Sequence, residues 1–275
     1  MSKKKNEVAT TGGGVPATYD YGDDAGSGFE GTSGSDLSVP FLGILQSNSP
    51  QVEDQDPTGA ASGMLFNTVT RELIDGETGV CFLPCFKEGP VWVEWIPRIN
   101  GGGFVGMHDP ESDAVKNGEQ IMHPETGKPT RKLRHGENEL VETFYIYGLI
   151  LDETGAETMG FAVISFTSTK IKPYRDWITA MYTLKGKPPI FANRAFVRTT
   201  KQKNDAGTFY NFRIDPLADT WRDSLINPAE QGHLLTEAKE FAEMVKSGMA
   251  RAAFETENSA DGAGNPSADG EDPPF

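Results

Sequence analysis

Leu140-Val141-Glu142-Thr143-Phe144-Tyr145-Ile146-Tyr147-Gly148-Leu149-Ile150-Leu151 and Thr158-Met159-Gly160-Phe161-Ala162-Val163-Ile164-Ser165-Phe166-Thr167 decide the fold class. Both runs are rich in β-branched and aromatic residues. Asp152-Glu153-Thr154-Gly155-Ala156-Glu157 between them has the composition of a turn. The pattern predicts an antiparallel hairpin. Upstream, Met64–Thr70, Gly79–Phe86 and Val91–Ile96 read as strands, with Lys87-Glu88-Gly89-Pro90 as the turn of a second hairpin. Downstream, Ile190–Thr200 and Thr208–Ile214 read as strands around a basic tip, Lys201-Gln202-Lys203-Asn204-Asp205-Ala206-Gly207.

Two helices punctuate this pattern. Pro173 suits a first helical turn, and Tyr174, Trp177, Ile178 and Met181 recur at helical spacing, predicting a short helix between strands. Leu234, Leu235, Ala238, Phe241, Ala242, Val245, Met249, Ala252 and Ala253 predict an amphipathic helix over 230–254, packed across the sheet or onto a second subunit. The expected fold class is mainly β (α+β): an antiparallel β-barrel of the oligonucleotide-binding (OB) kind with a short inter-strand helix and a C-terminal helix.

The remaining segments set the boundaries. Residues 1–37 are rich in Gly, Ser, Asp and Thr with few aliphatics, which predicts a disordered N-terminal segment. The OB-like domain is expected over 38–229, the helix over 230–254 and a disordered acidic tail over 255–275. From His108 to Asn138 the chain is polar and turn-rich around Lys128-Pro129-Thr130-Arg131-Lys132-Leu133-Arg134-His135, which predicts a flexible basic arm. No apolar run approaches the ~20 residues of a membrane span. Met1-Ser2-Lys3-Lys4-Lys5-Asn6-Glu7 lacks the apolar core of a secretory signal. A cytoplasmic protein is expected, in the bacterial host's cytoplasm if phage-encoded. Cys81 and Cys85, four apart in one strand, would lie about 13 Å from each other, too far for a disulfide, so buried free thiols are expected.

Charge is spread unevenly. The formal net charge is -15, yet Lys170–Arg213 holds ten bases against two acids, together with eight aromatics. Cations that neutralise phosphates, interleaved with rings on which bases stack, are what sequence-tolerant binding of a single strand requires. The candidate nucleic-acid-binding residues are therefore Lys170, Lys172, Tyr174, Arg175, Arg194, Arg198, Lys201, Lys203, Tyr210 and Arg213. Trp92 and Trp95 join them from the first hairpin, and Arg131, Lys132 and Arg134 from the arm. A share of the aromatics must face inward, because alternate strand positions do.

Residues 255–275 carry the acids Glu255, Glu257, Asp261, Asp269, Glu271 and Asp272, no base, and finish Pro273-Pro274-Phe275. A merely solubilising tail has no use for an aromatic tip, so a presented hook is expected. This tip, Asp272, Pro273, Pro274 and Phe275, resembles the C-termini of single-stranded DNA-binding proteins of bacteria and T7-like phages. Pro40-Phe41-Leu42 through Gln51-Val52, with Gly63-Met64-Leu65-Phe66-Asn67, is similar to the N-terminal part of phage replication proteins that bind single strands. The resemblance implies coating of single-stranded DNA and docking of the tip on polymerases, helicases and nucleases of replication and recombination. The acidic segment is also expected to compete with DNA for the cationic surface.

Other classes fare less well. His108, His123, His135 and His233 lack metal-ligand spacing, and Cys81 and Cys85 lack a second pair. Gly101-Gly102-Gly103 is not followed by the Lys of a phosphate-binding loop. No enzyme activity, metal or cofactor is expected, and no membrane partner. The alternatives to a coating protein are a single-strand annealing protein of the recombinase type and a phage structural or scaffold-like protein; self-association is compatible with all three.

Overall fold

The computed structural model describes residues 27, 28, 30, 31, 38–124, 126–204 and 207–253. The chain divides into a unit over Met1–Ser33 and another over Gly34–Phe275. Of the first, the described residues form a turn in which Gly28 N–H donates to the Glu30 carboxylate at 2.8 Å. The expected acidic tail lies outside the described residues, as does most of the N-terminal segment.

In chain order the second unit contains β1 (Ser38–Val39), β2 (Leu42–Ile44), α1 (Pro50–Glu53), β3 (Leu65–Asn67), β4 (Leu73–Ile74), β5 (Val80–Ile96) and β6 (Gly103–His108). It continues with α2 (Asp113–Lys116), β7 (Glu119–Met122), β8 (Pro129–His135), β9 (Asn138–Leu151), β10 (Thr158–Thr167), α3 (Ile171–Tyr182), β11 (Ala195–Asn204), β12 (Gly207–Pro216), α4 (Gly232–Lys246) and β13 (Arg251–Ala252). An eight-stranded sheet runs β12-β11-β5-β9-β8-β7, with β10 added on β9 and β6 on β5. Every pairing in it is antiparallel, and it curls into a half-barrel, so the mainly β, OB-like expectation holds. A three-stranded sheet β2-β3-β4 and a parallel β1–β13 pair complete the strands.

The expected hairpin of β9 and β10 forms, with Phe144 opposite Phe166 and Leu149 opposite Phe161. Its near-continuous apolar run has a physical reason: both faces of β9 are covered. Tyr145, Tyr147, Leu149 and Leu151 belong to the core cluster that includes Leu234, Ala238 and Phe241 of α4. Phe144 and Ile146 belong to the cluster that includes Ile171, Tyr174, Trp177 and Met181 of α3. Phe161 stacks on Phe241 at 5.5 Å, and Phe82 meets Trp177 edge-on at 6.3 Å. Each fully buried large side chain of this kind contributes roughly 1.5–3 kcal/mol. Cys81 and Cys85 are both free and buried, as expected, and burial pushes each thiol up to about 12.

Three boundaries differ from expectation. Lys87-Glu88-Gly89-Pro90 is not a turn: β5 passes straight through it as one strand of 17 residues. Because β9 pairs with both halves, the Gly-Pro step is absorbed as a bulge between Glu88 and Val91, and a second bulge lies between Pro84 and Phe86. Gly89, at φ +111°, faces Thr143 O so closely that a Cβ would lie 2.8 Å from it. The C-terminal helix ends at Lys246 rather than 254, since Gly248 at φ +74° closes it. Gly248 N–H bonds Val245 O at 3.0 Å and Met249 N–H bonds Met244 O at 2.9 Å, the Schellman pattern. The freed residues Arg251 and Ala252 then pair with Ser38 and Val39.

The third difference is the arm. Residues 108–138 are largely structured, because β8 takes the free edge of β9, with Lys132 opposite Val141 and Arg134 opposite Glu139. Buried Glu94 of β5 ties the arm together. Its carboxylate accepts from Asn138 Nδ2 at 2.9 Å and contacts His108 Nε2 at 2.7 Å and His135 Nδ1 at 2.9 Å. Burial pushes the Glu94 pKa up, but the hydrogen bonds from Asn138, His135 and His108 outweigh it and hold the group below its usual range.

Two outcomes follow from this packing. A Cβ on Gly148 would fall 2.5 Å from the Phe82 ring and also overlap Leu83 O, so Gly148→Ala should cost about 1–3 kcal/mol in urea denaturation. Because the Glu94 pKa is depressed, its stabilisation is complete above the ordinary Glu value of about 4.3 and is lost as pH falls through the lower folded value. Amide exchange over 103–135 should therefore lose protection, ahead of β9–β10, as pH falls below the ordinary Glu value of about 4.3. Glu94→Gln should show the same loss at neutral pH.

Candidate nucleic-acid interface

The β11–β12 hairpin is a two-faced ribbon whose register decides which residues meet. Arg198 pairs with Arg213, Thr200 with Asn211 and Gln202 with Phe209 on one face. Thr199 with Phe212, Lys201 with Tyr210 and Lys203 with Thr208 alternate onto the other. A cleft of about 400 Å³ opens between the ribbon and α3, and residues of both faces line it. Lys172, Pro173 and Asp176 line its helix side, and Gln202, Lys203, Phe209, Asn211 and Arg213 its ribbon side.

The cleft is cationic with polar and aromatic patches. Lys170 Nζ lies 5.7 Å over the Phe212 ring at its floor. Lys172 pairs with Asp176 at 3.1 Å, both side chains well exposed, a contact that water and salt screen strongly. Arg213 and Arg198 approach Asp215 Oδ2 at 2.9 and 3.6 Å, and Arg198 also stacks over Phe196 at 4.6 Å. Asn211 Nδ2 donates to Thr169 O at 3.1 Å, which joins the ribbon to the segment leading into α3. Lys203 is exposed and Phe209 half-buried, so both can meet a ligand.

The sequence-based candidates divide accordingly. Lys170, Lys172, Lys203 and Arg213 surround the cleft, Arg198 lies beside it, and Arg175 is exposed on α3. Lys201 and Tyr210 share the opposite face of the ribbon. There the Tyr210 ring covers Gly63, and its backbone N–H and C=O each bond the Gln46 side chain at 2.9 Å. Tyr174 is corrected from stacking platform to core: it is 5% exposed and stacks on Phe144 at 4.6 Å. Arg194 is likewise structural. It is buried, with Nη1 donating to Gly155 O at 2.9 Å and Nε to Ser224 O at 3.4 Å, and desolvation lowers its pKa. Trp95 is buried edge-on against Phe104 at 5.7 Å, while Trp92 is half-buried opposite His108 and Glu142.

The second basic cluster does not join the first. Arg131 is paired with Glu142 and Lys132 with Glu139, which neutralises both, while Arg134 is exposed. All three lie on β8, near the opposite end of the strand order from β11 and β12. Asp272, Pro273, Pro274 and Phe275 lie outside the described residues. Sequence reasoning missed Gln202, Phe209 and Asn211, whose inclusion depends on how the hairpin packs beside α3. Among the described residues no three His, Cys, Asp or Glu side chains form a group that could hold a metal ion. No helix there is long and apolar enough to cross a membrane.

The model of the Pam3 phage gp34-like protein family matches residues 3–251. The chain belongs to that family. It is a bacteriophage protein. No curated protein and no solved structure matches it. In this gp34-like chain the match spans the whole half-barrel, the cleft and α4.

Replacing Arg194 by Met should lower stability by about 1–3 kcal/mol, because the Gly155 carbonyl loses its side-chain donor and the Ser224 carbonyl keeps only the residue-194 backbone N–H. Urea denaturation of the variant would check this.

Proposed function

We propose that this phage protein binds single-stranded DNA without sequence preference, in replication or recombination of the phage genome. The observation that carries the reading is the convergence of Lys172, Lys203 and Arg213, from α3, β11 and β12, on one cleft with the half-buried Phe209 ring. Exposed cations can exchange their carboxylate partners for phosphates, and the ring offers a face to any base. The cleft volume of about 400 Å³ is at the low end for small-molecule sites, suited to an unpaired base rather than a duplex. Sequence-tolerant contact follows, since no part of this chemistry reads a base edge.

On this reading the protein works in the host cytoplasm and presents residues 255–275 to polymerases, helicases or nucleases that act on the same strand.

Fluorescence anisotropy with single-stranded and duplex oligonucleotides over a salt series tests the proposal. Single strands of any sequence should bind more tightly than duplex. Lys203→Ala and Arg213→Ala should each reduce the slope of log affinity against log salt by about 0.7. Phe209→Ala should weaken binding by about 1–3 kcal/mol with little change in slope. Equal affinity for duplex, or slopes unmoved by both charge removals, would overturn the reading.

A further inference from the structure

The face of the sheet that carries α4 holds a second concavity, also of about 400 Å³, between α4, β5 and the turn at Ile190–Ala192. Phe86, Ile190, Phe191 and Ala242 give it an apolar lining. Its rim is cationic: Lys87, Lys239 and Lys246 are all exposed there. Lys239 Nζ sits 5.7 Å over the Phe191 ring and Lys246 Nζ 5.8 Å over the Phe86 ring. Lys239 and Lys246, seven apart, fall on one stripe of α4 with Ala242 between them, so the helix presents cation, methyl and cation in a row. Glu243, bonded to Lys246 at 2.7 Å, is the acid on this rim.

We infer that this groove is the seat of the chain's own acidic segment, residues 255–275, with Phe275 against the apolar lining and the neighbouring acids on the lysines. The complement is specific in both respects. The segment holds six acids and no base and carries Asp272-Pro273-Pro274-Phe275, while the groove joins an apolar lining to three lysines. Reach is ample: Ala253 is seven residues past Lys246, and the following 22 residues span up to roughly 70 Å when extended. A tether of this length holds the segment at an effective concentration of about millimolar, so a weak intrinsic contact suffices for occupancy. The cleft beside α3 is the poorer seat, because two of its cations, Lys172 and Arg213, already face Asp176 and Asp215 and amides and hydroxyls interrupt its apolar lining. Seated on the α4 face, the segment leaves the cleft open and withholds its aromatic tip until a partner with a deeper pocket takes it. This replaces direct competition with DNA by masking of the hook, and it stands whether or not the cleft takes DNA.

The test uses the full chain with p-benzoylphenylalanine in place of Phe275, irradiated and mapped by mass spectrometry. The expected products are intramolecular cross-links to residues 85–87, 189–191 or 239–246. Lys239→Glu with Lys246→Glu should reduce their yield about fivefold or more, and added salt should act in the same direction. Lys172→Glu with Lys203→Glu should leave the yield unchanged. Cross-links confined to the cleft, cross-links only between two copies of the chain, or none within the chain would each overturn the proposal. Should the doubly reversed α4 variant fail to fold by circular dichroism, the cross-link map of the otherwise unaltered chain decides alone.

Discussion

The pairing of β5 with β9 along nearly their whole lengths is the constraint on which the rest of the molecule depends. Cys81 lies opposite Leu151 at one end and Trp95 opposite Glu139 at the other, with two bulges between. Extra residues on β5 bend it relative to β9, and bulges increase local twist, so the sheet curls. Both long strands expose new edges beyond their shared ladder. β11 takes the early part of β5, β10 the later part of β9, and β6 and β8 extend the distal halves. A ladder buried on both faces then requires two covers, which α3 and α4 supply.

That dependence explains which parts of the fold were legible in the sequence. The β9–β10 hairpin was, because apolar runs bounded by a Gly-containing acidic turn are a local signal. The α3 helix was as well, since Tyr174, Trp177 and Met181 recur on one face, and all three are buried. The Gly89-Pro90 step was not. Local chemistry there favours a turn, and only a partner strand long enough to span the step turns it into a bulge. The arm escaped for a similar reason: Arg131, Lys132 and Glu119 look like loop residues, and their strands exist because β9 offers an edge. The end of α4 was missed because Ala252 and Ala253 continue an apolar spacing that Gly248 interrupts.

The candidate site was legible as a charge block and not as a surface. A +8 excess over 44 residues is visible without coordinates, yet it contains residues with opposite fates. Tyr174 falls on the same helical stripe as Trp177, which argues for core from spacing alone. Nothing local marks Arg194 as a buried staple, because its partners, Gly155 and Ser224, are 39 and 30 residues away. Phe209 and Gln202 could be placed in the cleft only once the ribbon was seen to pack beside α3, a contact between segments distant in sequence.

Two concavities in an acidic protein are ringed by cations, and they lie with different helices over different core clusters. Their linings separate their uses. The α3 cleft mixes cations with amides, hydroxyls and one accessible ring, a surface that tolerates water and suits a hydrated polyanion. The α4 groove sets cations around aromatic and aliphatic walls, a surface that rewards an apolar group brought in beside acids. In a chain of net charge -15, lysines in such places work locally against the general repulsion of polyanions. The covering helices are therefore more than lids on a two-faced sheet: each contributes cations, Lys172 from α3 and Lys239 and Lys246 from α4, to a surface completed by cations and rings of the strands beside it.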